Sequence, residues 1–285
     1  MKKIKKSTSA SFVIITVIYA FAAFLGIYVY NLLDFSFYTN LLIADIAATT
    51  FVFLFSVILG NASVYDPFWS VQPPVILAAF TVGSGVSVSG IIITLAVAVW
   101  AVRLTANWAY TFGNLTHQDW RYTMLKEKCG VFYPIINFVG IHLVPTLVVY
   151  LCVLPAVFVI RSGAEFSWVA LFPLLLSLLA TLMQGTADVQ MQKFRKESSG
   201  GFIRTGLWKY SRHPNYLGEI LMWWGVGIYS LVLLPGFYVL LIGAIANTLL
   251  FSFVSIPMAE KRQSRKVGYE EYRRETRVLL PIRKK

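Results

Sequence analysis

The segment Ser211-Arg212-His213-Pro214-Asn215-Tyr216-Leu217-Gly218-Glu219 sets two cationic side chains, a proline, an amide, a phenol and a carboxylate side by side. Proline's fixed φ and missing N–H suit the first turn of a helix, so a helix is expected to open at Pro214. Its N-terminus then faces a basic loop that also carries Arg204 and Lys209. Unpaired backbone N–H groups, the positive end of the helix dipole and guanidinium forks together form a site for a phosphate or pyrophosphate. Glu219 lies about one turn inside and would be costly against lipid. It is expected to face the bundle interior and accept hydrogen bonds from an amide or sugar hydroxyl. Anionic lipid headgroups on a basic loop would account for the cations alone. They give Asn215, Glu219 and Asp188 no role.

Upstream, Gln184, Asp188 and Arg195 fall on one helix face, since offsets of four and eleven residues rotate by about 40° and 20°. An Asp–Arg pair at a solvated helix end is common and contributes little, so the stripe gains meaning only beside the 204–219 segment. Arg103 lies deep in an apolar run, where an arginine is paired or functional by default. Asp45 is a second intramembrane charge, and nothing in the sequence pairs the two. Asp66-Pro67 reads first as a turn starter. Flanked by Tyr65, Phe68 and Trp69, its carboxyl is also placed to have a raised pKa and to donate a proton.

The elements that must position these groups are membrane helices. Of 285 residues, 57% are hydrophobic and 13% charged, with mean hydropathy +0.67. Soluble domains are nearer one quarter charged, so an all-α, polytopic transmembrane bundle with no soluble domain is expected. Apolar runs recur at 11–33, 41–59, 90–112, 135–160, 167–185, 217–234 and 236–257, with a weaker one at 71–88 interrupted by glycines. That makes seven or eight spans. The net charge of +12 sits in four segments, residues 1–10, 113–134, 187–216 and 257–285, with only Arg103 and Arg161 outside them. Eight spans with both termini in the cytoplasm put all four on one face, as the positive-inside rule requires. This placement points to membrane lipids rather than nucleic acid as the partner of the charge. The first span reads as retained rather than as a cleaved signal peptide. Cys129 and Cys152 are isolated, and His117, His142 and His213 are scattered, so neither a disulfide framework nor a metal site follows.

The run Gly206-Leu207-Trp208-Lys209-Tyr210-Ser211-Arg212-His213-Pro214-Asn215-Tyr216-Leu217-Gly218-Glu219 resembles the C-terminal signature of steroid 5-alpha-reductase-like membrane reductases, and more closely their bacterial relatives, the DUF1295 group. Tyr65-Asp66-Pro67-Phe68-Trp69-Ser70, Trp100 with Arg103-Leu104, Asp119-Trp120-Arg121-Tyr122 and Gly268-Tyr269-Glu270-Glu271-Tyr272 support it. The likeness runs from about residue 60 to the end. It divides the chain into N-terminal spans at 1–60 and a reductase-like transmembrane domain at 61–285. It implies an NADPH-dependent reductase of a carbon–carbon double bond in a lipid-like substrate drawn from the bilayer, and a bacterial inner membrane as its home. Carried over by position, Gln184 (where steroid reductases have asparagine), Asp188, Arg195, Asn215 and Glu219 match cofactor contacts, and Arg103 matches another. Arg204, Arg212, His213 and Tyr216 join them from the basic loop and the signature. Asp66 and Trp100 fall where those enzymes place a glutamate and a tyrosine that hold the substrate carbonyl. Tryptophan is a departure, because indole donates one hydrogen bond but delivers no proton as a phenol does.

The Arg-His-Pro-Asn-Tyr core also resembles membrane methyltransferases of the isoprenylcysteine carboxyl type, which use S-adenosylmethionine. That alternative expects a Glu-Glu pair after the last span, where this chain has Glu260 followed by Lys261. A lipid-binding or structural membrane protein on the same scaffold is the third, non-enzymatic alternative.

Overall fold

The computed structural model describes residues 5–198 and 200–281. Lys2, Lys3, Arg283, Lys284 and Lys285, counted above among the basic segments, lie outside them. Among the described residues nine helices carry the fold: α1 (Thr8–Leu32), α2 (Phe37–Leu59), α3 (Phe68–Ser84), α4 (Val88–Thr111), α5 (Trp120–Ser162), α6 (Trp168–Glu197), α7 (Pro214–Leu233), α8 (Tyr238–Gln263) and the short α9 (Tyr269–Glu275). Seven of these, all but α3 and α9, are long and apolar enough to cross a membrane. Among the described residues there are no strands beyond one isolated bridge between Ser211 and Arg277, and no soluble domain.

Helix starts follow their polar caps. Ser7, Ser36 and Ser87 accept hydrogen bonds from Ala10, Thr39 and Gly90 backbone N–H groups, and Asp119 from that of Arg121. Each satisfies a donor that the first helical turn leaves unpaired. On α1 the exposed Val13, Val17, Phe21 and Phe24 recur at helical spacing, while Ile15, Ile18, Tyr19 and Ala22 are buried. Such a split is what a helix packed on one side and facing lipid on the other requires.

The weak span resolves as α3. Its 17 residues reach only about 26 Å at 1.5 Å per residue. It nevertheless runs antiparallel to α4 over its length. Ser70 Oγ meets Thr105 Oγ1 at 2.9 Å, and Thr81 Oγ1 meets Thr94 Oγ1 at 3.4 Å. Two expected loops prove partly helical. Residues 120–129, expected within a polar connection, form the first turns of α5, and α6 continues past residue 185 to Glu197. Both extensions are polar and amphipathic, and so escape a search for apolar runs.

The described parts of the four basic segments meet at one end of the bundle. Thr8 Oγ1 donates to Gly113 O (2.7 Å), Lys5 Nζ to Leu59 O, and Gln192 Nε2 to Asn107 Oδ1 (2.5 Å). Arg262 lies 4.3 Å over the Trp120 ring. The ends of α1, α2, α4, α5, α6 and α8 are thereby gathered on the face where α7 begins.

The core lies among α3, α4, α5 and α7, around Leu77, Val97, Trp100, Val153, Met222, Trp223 and Tyr229. Glycines on α7 set its distance from α6. A Cβ on Gly225 would stand 2.6 Å from Pro173 O and 2.9 Å from Ser177 N, and one on Gly218 2.7 Å from Ala180 O. Small residues let two backbones approach closely. Here that approach brings Gln184 of α6 against Glu219 of α7.

Candidate functional site

Glu219 is the centre of a buried polar cluster. Its Oε2 accepts from Trp100 Nε1 (2.9 Å) and Gln184 Nε2 (2.5 Å), and its Oε1 from Trp223 Nε1 (2.9 Å). Arg103 Nη2 stands 4.0 Å from Oε2 and donates to Gln184 Oε1 at 2.7 Å. Arg103 Nη1 donates to Asp188 Oδ2 at 2.8 Å. Asn215 approaches the same Asp188 carboxylate. One arginine on α4, an amide and a carboxyl group on α6, and a carboxyl group on α7 thus meet inside the bundle, the two acidic groups sharing one cation. Charged groups so deep are tolerated only when paired in this way. Arg103 Nε is buried and has no hydrogen-bond partner among the described residues.

A second cluster is built on Glu260 of α8. Arg212 donates to it through Nε (3.0 Å) and Nη2 (2.9 Å) in a bidentate fork. His213 Nε2 lies 2.7 Å away and Tyr269 Oη donates at 2.7 Å. The remaining Arg212 donors go to the tail, Nη1 reaching Arg273 O (3.1 Å) and Thr276 O. Backbone bonds from Arg212 N to Arg277 O (3.0 Å) and His213 N to Val278 O (3.1 Å) lay the tail along the start of α7. Helix α7 opens at Pro214 as expected, with His213 as its N-cap residue. Tyr216 stacks on His213, ring centroids 5.2 Å apart. Arg204 is committed to the tail as well, donating to Gly268 O (2.6 Å) and lying 4.8 Å over the Phe202 ring. Arg195, near the end of α6, is exposed.

Asp66 belongs to a third group, in the connection between α2 and α3. Tyr122 Oη donates to its Oδ1, and Asp119 N donates to the neighbouring Ser63 Oγ at 2.9 Å. Burial pushes the Asp66 carboxyl up to about 6, against the opposing pull of Arg121 and the Tyr122 hydroxyl. Burial also pushes Asp119 upward, but there the Arg121 guanidinium at 2.8 Å prevails and holds it below the usual range.

The twelve residues singled out by sequence therefore divide. Arg103, Gln184, Asp188, Asn215 and Glu219 come together, and Trp100 joins them rather than Asp66, because its one N–H is taken by Glu219. Arg212, His213 and Tyr216 gather at Glu260, Arg204 at the tail, and Asp66 at Tyr122. Charges of the third group (Arg121, Asp119) and of the first (Asp188), with that of Arg195, all act on the Tyr216 hydroxyl. Sequence reasoning missed Trp223, Glu260 and Tyr122 as partners. Only Trp223 left a signal, four residues from Glu219 and so on its helix face.

The shifted Asp66 has a measurable consequence. A carboxyl whose folded pKa is raised from 3.8 to about 6 binds more proton folded than unfolded between those values. Stability therefore falls as pH rises through about 4 to 6, by at most about 3 kcal/mol. Asp66→Asn is expected to remove that slope and to melt higher than wild type at pH 7.5. Melting curves of both proteins across pH 4.5–7.5 check it, and identical pH profiles would contradict the assignment.

Comparison with known proteins places the chain. The family described as "Protein of unknown function (DUF1295)" matches residues 52–276. An uncharacterized protein of Schizosaccharomyces pombe is 26% identical over 191 residues, covering 57% of this chain and 56% of that protein. The chain thus spans little more than half the length of this curated relative. A protein-S-isoprenylcysteine O-methyltransferase of Saccharomyces cerevisiae is 44% identical over 43 residues, 15% of this chain and 17% of the enzyme. No solved structure matches. This chain belongs to the DUF1295 family.

Proposed function

We propose that this DUF1295 member is a membrane-embedded, NADPH-dependent reductase of a carbon–carbon double bond in a lipid-like substrate. The observation that carries the reading is the Arg103–Gln184–Asp188–Glu219 cluster, buried beside the basic mouth of the bundle. Its guanidinium, amide and carboxylates suit a carboxamide and sugar hydroxyls. Arg103 keeps a buried donor, Nε, in want of an acceptor. Asn215 extends the set, and the exposed Arg195 offers its charge to a phosphate. Arg212, His213 and Arg204 hold the tail and the start of α7 in place; their part in cofactor binding is positional. NADPH, when bound, supplies the hydride. The positive charge gathered at one face supports a cytoplasmic placement of both termini in a bacterial inner membrane.

The protein's own contribution is orientation, exclusion of water and a proton source. Trp100 holds Glu219 in place and is spent in doing so. The acid is Asp66, with the Tyr122 hydroxyl bonded to it. A carboxyl with pKa about 6 is partly protonated near neutrality and can donate to a polarised carbonyl or to the developing carbanion.

The partial match to a methyltransferase keeps a second reading, transfer of a methyl group from S-adenosylmethionine. Glu260 is already engaged by Arg212 and His213, and the Glu-Glu pair that reading expects is absent, Lys261 standing in the second place. Thermal melting of detergent-purified protein separates the two. NADPH at about a hundred times its Kd is expected to stabilise the fold by about 2.7 kcal/mol. Asp188→Asn, which preserves an acceptor for Arg103, is expected to reduce the shift. Stabilisation by S-adenosylmethionine alone would overturn the reductase reading.

A further inference from the structure

A cavity of about 350 Å³ lies between α1, α2 and α3, apart from the three polar clusters. Its walls are apolar, from Ile27, Leu41, Ile76 and Phe80. Asn31, Ser84 and Arg161 interrupt them at the helix ends, and Asp45 and Gln72 farther along the helices. Asp45 is 4% exposed and Gln72 is 7% exposed, and both line the space. They face one another, yet among the described residues neither oxygen of Asp45 and neither amide atom of Gln72 makes a well-formed hydrogen bond. Buried polar groups are nearly always satisfied, so four such enclosed atoms on two residues of one cavity wall require an explanation. Asp45 stands eight residues into α2, about 12 Å from its start, so the space is deep in the bundle. α1 lies along α2, with Gly26 close to Ala44 O, but meets α3 at few points. Ile27, Val75 and Ala79, all exposed, border the resulting sideways opening.

From this geometry we infer that the cavity binds a hydroxyl-bearing lipid-like molecule that enters sideways from the bilayer, its hydroxyl held between Asp45 and Gln72. A hydroxyl both donates and accepts, so one group can donate to an Asp45 oxygen and accept from the Gln72 amide N–H together. A hydrocarbon satisfies neither. The volume falls in the range of small-molecule sites, and apolar walls with a few convergent polar groups are their usual character. The inference does not depend on the reductase reading, because it concerns binding in the absence of any nucleotide.

The test uses the purified full chain in detergent, with 1-tetradecanol and tetradecane as probes of equal length. The alcohol is expected to raise the melting temperature by several degrees and the alkane to leave it unchanged. Asp45→Leu combined with Gln72→Leu is expected to weaken alcohol binding at least about tenfold, since a site built around a hydroxyl loses its selectivity with its polar partners. This variant removes unpaired polar groups and is expected to fold at least as stably as wild type. Ala79→Phe keeps both polar groups but narrows the opening, and is expected to weaken the alcohol shift as well. Equal shifts with alcohol and alkane, or no shift with either, would overturn the inference on wild-type protein alone. An alcohol shift untouched by both variants would overturn it equally. A failure of NADPH to bind leaves all these outcomes intact.

Discussion

Glu219→Ala is expected to cost about 3–5 kcal/mol of stability, the range found when one partner of a buried ionic network is removed. The carboxylate is 3% exposed and accepts from two indoles and an amide. Removing it strands these donors and leaves Arg103 with less compensating charge. An exposed pair would cost no more than about 1 kcal/mol, so the magnitude itself decides between a network hub and an incidental contact. Glu219→Gln is expected to fall between, because its amide keeps one acceptor but turns N–H groups toward other donors. Melting of detergent-solubilised protein measures both. If the cost comes from stranded donors, adding Trp100→Phe and Trp223→Phe to Glu219→Met restores part of it, a coupling that a double-mutant cycle reads directly. A cost below about 1 kcal/mol for Glu219→Ala would remove Glu219 from the centre of the site.

Much of this fold is written in local sequence. Apolar runs mark the membrane helices, serines mark several of their starts, and Pro214 marks the opening of α7. Part of the site is legible for the same reason. Gln184 and Asp188 share a helix face, and Glu219 one turn into an apolar helix has to point inward. What local pattern cannot carry is which distant side chains meet. Arg103 finds Asp188 from 85 residues away, and Trp100 finds Glu219 from 119. Both encounters depend on helix packing: Gly185 of α6 lies against the Arg103 side chain, and Gly218 and Gly225 hold α7 close on α6. Asp66 and Trp100, expected about one substrate carbonyl, have separate partners: the indole N–H is donated to Glu219, and Asp66 accepts from Tyr122. Tyr122 supplies the phenol that Trp100 lacks, from a segment whose amphipathic start hid its continuity with α5.

Glu260→Ala is expected to produce the second large effect, and its readout is local. The Arg212 side chain is nearly buried, 6% of the residue being exposed, and its charge is balanced by the Glu260 carboxylate. Without Glu260 an uncompensated guanidinium remains inside the protein, again at about 3–5 kcal/mol. The loss falls on the tail, because His213 and Tyr269 lose the same acceptor. Helix α9 and residues 276–278 are then held by backbone bonds to Arg212 and His213, by the hydroxyl of Tyr272 on Trp208 O, and by Arg204 and Arg212 on tail carbonyls. Trypsin reports this directly, since Arg265, Lys266, Arg273, Arg274 and Arg277 all lie in the segment. Cleavage there is expected to accelerate at least about tenfold in Glu260→Ala, in line with a rise in the open population, while the transmembrane core stays intact. Glu260→Gln keeps one acceptor oxygen without charge and is expected to be intermediate. Because the tail lies along the start of α7, its release is expected also to loosen Asn215 and Tyr216, and so, on the proposed reading, to weaken NADPH binding more than it lowers the melting temperature of the core. If Glu260→Ala keeps both its resistance to trypsin and its melting temperature, the backbone bridge alone anchors the tail, and Glu260 is left free for chemistry of its own.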